Sequence, residues 1–237
     1  MKKLSVTVSF VLALVVIVDA AGYTTSFPLT ENPISEGATW TNGGAVGLDW
    51  SNVRTTPGLA FGTQSGATNY NDSIAVLKGA WTADQSATAT VRTVNQPTGS
   101  IFEEVEILLR FTVTARSARG YEFNYACRQD GSRYVQIVRW NGPLGNFTPL
   151  DARPGPGLRN GDQIKATVSG QTLTTYINNV AIFSVNDSAI TSGNPGIGFY
   201  LQGGPSALNA DYGLTSFTAN GGQTPPSAPT NLRIIRF

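Results

Sequence analysis

From Tyr23 onward apolar residues recur at every second position, and no stretch carries the stripe of a long amphipathic helix. In Ile101–Thr114, Val105, Ile107, Leu109 and Phe111 fall on one side, with Glu104, Glu106, Leu108 and Arg110 on the other. In Tyr121–Arg128, Tyr121, Phe123, Tyr125 and Cys127 oppose Glu122, Asn124, Ala126 and Arg128. Tyr134–Trp140 is largely apolar on both sides, with Gln136 as a polar break, and Gln163–Ser169 turns Ile164, Ala166 and Val168 one way. Such runs predict strands, because successive side chains point to opposite faces of a sheet. The breaks predict their connections. Asp130-Gly131 predicts a hairpin, as does Gly170. Asn178-Asn179 predicts a third, between Leu173–Ile177 and Val180–Val185. Asn141–Gly145 and Arg153–Gly157 read as loops, the second because Pro154 and Pro156 cannot donate to a ladder. Many short strands at even spacing predict an all-β, two-sheet antiparallel sandwich.

The two ends of the chain differ from this pattern. Lys2 and Lys3 precede an apolar run from Leu4 to Val18, and small or β-branched residues follow in Val18-Asp19-Ala20. This predicts a secretory signal peptide at 1–20, cleaved near Ala21, and places the mature chain outside the cell or at its surface. The run is short for a membrane span, so no insertion is expected after cleavage. Residues 21–220 then form the sandwich domain. Residues 221–237 open as a Gly/Pro linker and continue as a strand-like tail, Ala228–Ile234, that resembles the start of a fibronectin type III domain. The expectation is either a truncated product, with further domains lost beyond it, or a vestigial or tethering tail.

Composition narrows the chemistry. Sixteen Lys+Arg against fifteen Asp+Glu give a net charge of +1, which offers no electrostatic footprint for nucleic acid. The absence of histidine removes Ser-His-Asp and Cys-His catalysis and histidine-based metal sites. The one cysteine, Cys127, excludes an intrachain disulfide and reads as a small core residue.

Several segments carry a family resemblance. Asn160–Gly170 is similar to a stretch that recurs in concanavalin A-like lectin/glucanase (laminin G-like) domains. Tyr176–Val180 resembles their YxNGV hairpin, with Asn179 where Gly is usual. Ser192–Tyr200 and Asp211–Thr218 resemble the strands that follow, and Asn71–Ser73 and Trp81–Gln85 fit early strands. The resemblance implies a jelly roll with one convex and one concave sheet, and a first strand near Ser26–Leu29 lying beside the last near Ser216–Ala219. The family includes sugar-binding modules, glycan hydrolases and lyases, and adhesive domains, so the fold alone does not choose among them.

If the 101–114 and 121–128 strands pair, their polar sides merge. Glu104, Glu106, Arg110, Glu122, Asn124 and Arg128 then share one surface, joined by Gln136 and, as an aromatic platform, Trp140. Bidentate polar groups beside a flat aromatic suit sugar hydroxyls and the apolar face of a pyranose. The same residues also read as a solvated sheet face with cross-strand ion pairs. Trp40, Trp50 and Trp81 read as core. Glu104 and Glu106, at i and i+2, stand about 6–7 Å apart by strand rise. The hydrolases of the resembling family carry an E-x-D-x-E-like strand, which is incomplete here because Leu108 holds the third position. The lyases usually need His. The reading is therefore non-catalytic binding, with a glycan on the concave sheet. A glycoside hydrolase or polysaccharide lyase is the first alternative, and an adhesive domain that binds protein is the second. No cofactor is required, but calcium stays open because Asp49, Asp72, Asp151, Asp162 and Asp187 fall in loops.

Overall fold

The computed structural model describes residues 22–45, 49–67, 70–203 and 208–221. The predicted signal peptide, and the tail beyond Gly221, lie outside the described residues. In chain order the strands are β1 (Tyr23–Thr25), β2 (Trp40–Asn42), β3 (Arg54–Thr56), β4 (Leu59–Phe61), β5 (Ser73–Leu77), β6 (Gln85–Thr93), β7 (Phe102–Thr114) and β8 (Ser117–Ala126). They continue as β9 (Val135–Gly142), β10 (Phe147–Arg153), β11 (Gln163–Ser169), β12 (Thr172–Ile177), β13 (Val180–Asn186), β14 (Asn194–Gln202) and β15 (Tyr212–Asn220). A single 3-10 turn, Asn209–Asp211, is the only helical element among the described residues, and no helix there is long and apolar enough to cross a membrane.

The strands form two antiparallel sheets. One has seven strands in the order β10-β9-β8-β7-β14-β5-β2. The other has eight, in the order β13-β12-β11-β6-β15-β4-β3, with β1 also pairing to β15. The main core fills the space between them. Val105, Ile107, Leu109, Tyr121, Phe123, Tyr125 and Ile137 reach it from the seven-stranded sheet, and Ala87, Ala89, Val91, Ile164, Ala166, Val168, Leu214 and Phe217 from the other. Cys127 is buried in this core as a free thiol. The period-two pattern thus identifies the inward set, since burying that face is the main favourable term for the fold.

Local details follow the turn chemistry. Asn178 and Asn179 both hold positive φ, at 51° and 64°, and join β12 to β13 as a tight hairpin. Asn tolerates this left-handed backbone better than most residues. The connection at Asp130-Gly131 is wider than the tight hairpin expected there, running through residues 127–134. Its shape is held by the Asp130 carboxylate, which accepts from the Arg128 guanidinium at 2.7 Å and from the Ser132 N–H at 3.0 Å. β1 lies a few residues ahead of the predicted Ser26–Leu29 strand but pairs as expected with the last strand, Tyr23 opposite Ala219 and Thr25 opposite Phe217. Gly221 still belongs to the fold, because its carbonyl accepts from the Thr82 N–H at 3.0 Å.

One irregularity decides what reaches the outer face. The β7–β8 ladder is regular to Leu109↔Tyr121 and resumes at Thr112↔Arg119. Between them Arg110 sits at φ 48°, the left-handed signature of a β-bulge. The bulge breaks the alternation. Leu108 and Phe111 both join an outer apolar cluster with Trp50, Ile74, Val76, Val138 and Trp140, while Arg110 is directed away from them. Backbone packs closely against the bulge: a Cβ on Gly193 would lie 2.3 Å from the Arg110 carbonyl carbon.

Candidate functional site

The outer face of the seven-stranded sheet carries a row of register partners across four strands. Gln136 of β9 faces Asn124 of β8, Asn124 faces Glu106 of β7, and Glu106 faces Gly198 of β14. Glu122, two residues before Asn124, is diagonal to Glu106, and Glu104 is diagonal to Asn124. Diagonal side chains on one face are within reach of each other when they are long. Gly198 leaves the middle of β14 bare. A Cβ there would lie 2.0 Å from a Glu106 carboxyl oxygen. Across that gap comes Asp72, the residue just before β5, which lies two strands away from β7. One carboxyl oxygen from each of Asp72, Glu106 and Glu122 lies within 4.8 Å of the others, and all three residues are buried.

These groups floor a cleft of about 100 Å³. Its lining is Asp72, Glu104, Glu106, Glu122, Asn124 and Gln136, with Tyr70, Val138, Trp140, Phe147 and Tyr200. None of the lining residues is basic. Glu104 is the best satisfied acid: it accepts from the Tyr134 hydroxyl and, at 3.1 Å, from the Asn124 amide. Glu122 accepts the Trp140 indole N–H at 2.7 Å. Among the described residues Glu106 meets no donor at either oxygen. The aromatic side is continuous, with Trp50 edge-on to Trp140 at 5.6 Å, Trp140 against Phe147 at 5.4 Å, and Phe147 against Tyr70 at 5.2 Å.

Six of the eight sequence-predicted residues therefore come together: Glu104, Glu106, Glu122, Asn124, Gln136 and Trp140. Two do not, and both correct the shared-face expectation. The bulge swings Arg110 toward the opposite sheet, where its guanidinium donates to the carbonyls of Ala83 (2.6 Å), Gly170 (2.7 Å) and Ile190 (2.8 Å). Arg128 lies past the end of β8, bound to Asp130 and to the carbonyls of Gly99 and Ile101 at 3.2 Å each. Both arginines are buried structural ties. Trp140 lines the cleft but is only 2% exposed, so the open aromatic at the rim is Tyr70, at 46%. Tyr70, Phe147, Tyr200 and Gly198 were missed as site residues. Asp72 was expected only as a loop acid. The other loop aspartates have protein donors instead: Asp49 and Asp151 pair with Arg116 and Arg153, Asp162 accepts from Asn178, and Asp187 accepts from Tyr121 and Arg139.

Crowding four acids out of water raises their affinity for protons. Burial is the main cause for each. It pushes Glu122 up to about 7, with the Trp140 indole opposing and Glu104 adding to the rise. Asp72 is pushed well above the ordinary carboxylate range by burial and by the charges of Glu122 and Glu104, with the Gln64 side chain opposing, and Glu106 by burial and by the charges of Glu122, Asp72 and Glu104. Burial also raises Glu104, against the hydrogen bonds from Tyr134 and Asn124. A carboxyl with a folded pKa above its unfolded value binds its proton more tightly in the folded chain. Its contribution to stability is then present at low pH and lost as pH rises through the folded value. For Glu122 that window runs from 4.5 to about 7. In buffer free of divalent ions the melting temperature should therefore fall as pH is raised across this range, and Glu122→Gln should flatten the fall. A melting temperature that climbs over the same range would contradict the assignment.

No protein-family model matches the sequence, and no curated protein matches it. Solved structures do. Carbohydrate-binding module CBM66 from Bacillus subtilis matches at a TM-score of 0.51 and 14% identity, over 80% of this chain and 96% of that one. The metal-free form of the Emp46p carbohydrate recognition domain matches at 0.53 and 11%, over 84% and 95%. A Bacteroides ovatus GH16 protein of a mixed-linkage glucan PUL, solved in complex with G4G4G3G product, matches at 0.51 and 11%, over 83% and 99%. The fold is the concanavalin A-like jelly-roll sandwich, as the sequence resemblance implied.

Proposed function

We propose that this chain is an exported domain that binds a glycan in the acidic cleft on the outer face of the seven-stranded sheet. The observation that carries the reading is the meeting, in one cleft, of a floor of carboxyls and amides with a wall of aromatic rings. Carboxylates and amides accept and donate to paired hydroxyls, and a ring face covers the apolar side of a sugar. The half-exposed Tyr70, backed by Phe147, is the ring placed to do this. Fold neighbours named as carbohydrate-binding and carbohydrate-recognition domains are in keeping with such a role.

A second reading, glycoside hydrolysis, has its own support. Glu106 and Glu122 bring carboxyl oxygens within 4.8 Å of each other. That is nearer the roughly 5–5.5 Å between carboxyl groups in retaining glycosidases than the wider gap of inverting ones. A carboxyl such as Glu122, titrating at about 7, is suited to giving up a proton near neutral pH. The pair lies across strands and replaces the Glu104/Glu106 pair suggested by the sequence.

A glycan-array screen of secreted protein, followed by product analysis on each hit, separates these readings. Recovery of the bound glycan intact supports binding alone. Cleavage that disappears in Glu122→Gln supports the hydrolase. Array binding that persists at full strength in Tyr70→Ala and Gln136→Ala would place the ligand elsewhere. The secreted chain should begin near Ala21, as N-terminal sequencing would reveal.

A further inference from the structure

We propose that Asp72, Glu106 and Glu122 bind a calcium ion in the floor of the cleft, with the side-chain carbonyl of Asn124 as a further ligand. The argument begins with unmet acceptors. Glu106 is fully buried, and among the described residues neither of its oxygens finds a donor, nor do Asp72 Oδ1 and Asn124 Oδ1. Asn124 lines the cleft at 7% exposure, and while its amide nitrogen donates to Glu104, its carbonyl oxygen has no donor among the described residues. Acceptors without donors are costly in a protein interior, and buried charges are normally paired or metal-bound. Among the described residues no lysine or arginine lines this cleft. A cation can satisfy all of these oxygens at once.

The ligand chemistry selects the ion. Every available donor atom is oxygen, which favours hard cations over zinc or copper. Calcium–oxygen bonds of about 2.3–2.6 Å allow ligands on opposite sides of the ion to stand about 4.6–5.2 Å apart. The three carboxyl oxygens span up to 4.8 Å, within that limit. Magnesium, at about 2.0–2.1 Å, demands near-ideal octahedral geometry, whereas calcium accepts less regular sets of oxygen ligands such as these. The strands also fix the ligands in place: Glu106 and Glu122 stand in the middle of paired strands, and Gly198 between them and Asp72 contributes no side chain. Of the loop aspartates considered on sequence alone, Asp72 takes part in this site and the others do not, and the site does not depend on the glycan reading.

The test uses metal alone on chelator-treated protein. Terbium(III) should bind at a single site and emit on tryptophan excitation, because the Trp140 indole is bonded to Glu122. Added Ca²⁺ should quench that emission by competition and raise the melting temperature, since a ligand that binds only the folded state stabilises it. Glu106→Gln and Asp72→Asn should each weaken Ca²⁺ binding at least about tenfold, as loss of one charged ligand does. Glu106→Gln should also melt higher than the parent in chelator, because an unpaired buried acid has been removed. The proposal is overturned if Ca²⁺ neither displaces terbium nor moves the melting temperature, if both variants bind Ca²⁺ like the parent, or if Mg²⁺ displaces terbium and Ca²⁺ does not. Glycan binding enters none of these readouts, so either proposal can fail alone.

Discussion

Arg110→Ala should lower the melting temperature by roughly 10 °C while leaving the acidic cleft able to bind. The guanidinium supplies donors to three carbonyls, those of Ala83, Gly170 and Ile190, and it is 3% exposed. Charge-assisted hydrogen bonds contribute about 1.5–3 kcal/mol each, and removing the donor leaves buried acceptors unmet. A total near 3–5 kcal/mol is in the upper range for a single substitution. At about 2–4 °C per kcal/mol for a domain of this size, the shift is easily read by calorimetry. The partial ion pair with Asp84, at 3.6 Å and with that partner well exposed, adds little. Arg110→Lys should rescue only part of the loss, because an ammonium cannot reproduce the planar fork that serves three carbonyls. A drop of less than about 2 °C for Arg110→Ala would mean that the bulge does not depend on these bonds.

Gly198→Ala should do the opposite, keeping the fold and spoiling the cleft. The new methyl would stand 2.0 Å from a Glu106 carboxyl oxygen, well inside contact distance. That oxygen ends a flexible side chain, so Glu106 can rotate aside at modest cost to stability. Once displaced, it no longer meets Asp72 and Glu122. Glycan affinity and calcium affinity should each fall by about tenfold or more, which is about 1.4 kcal/mol or more, with the melting temperature within a few degrees of the parent. Titration calorimetry on the variant, beside its melting curve, checks both halves. Unchanged affinity for both ligands would remove the Glu106 side of the cleft from the account.

These two substitutions mark where the sequence could be read and where it could not. Alternation identified Val105, Ile107, Leu109, Phe123 and Tyr125 as inward, and so put Glu104, Glu106, Glu122 and Asn124 together on the other face. Counting by twos fails at Arg110, where a bulge adds a residue with no Gly, Asn or Pro to announce it. Positive φ at an arginine is set by what surrounds it, not by local preference. Arg128 was misplaced because β8 ends before it, at Ala126. Asp72 was invisible as a site residue for a different reason. It joins Glu106 only because β5 lies beyond β14 in the sheet order, a long-range fact that no local pattern encodes. The Gly196-x-Gly198 spacing in β14 was the available hint, since small residues on one face of a central strand leave room for neighbouring side chains to meet. Trp140 was placed on the right face, but the covering by Trp50 and Phe147 that makes it a wall could not be read from its own surroundings in sequence.

The four tryptophans offer a direct report on the cleft. Trp140 and Trp50 belong to the outer cluster beside it, whereas Trp40 and Trp81 belong to the core between the sheets. The Trp140 indole N–H is bonded to Glu122, a lining residue, and the Trp40 indole N–H to Tyr23 and Glu36, neither of which lines the cleft. The decisive measurement is a proton–nitrogen correlation spectrum of the four indole groups during titration with the strongest binder from the array. A ligand in the acidic cleft moves the Trp140 indole resonance, and that of Trp50 with it, along the same saturation curve as binding, while those of Trp40 and Trp81 stay in place. Saturable binding that leaves the Trp140 resonance unmoved would contradict the account.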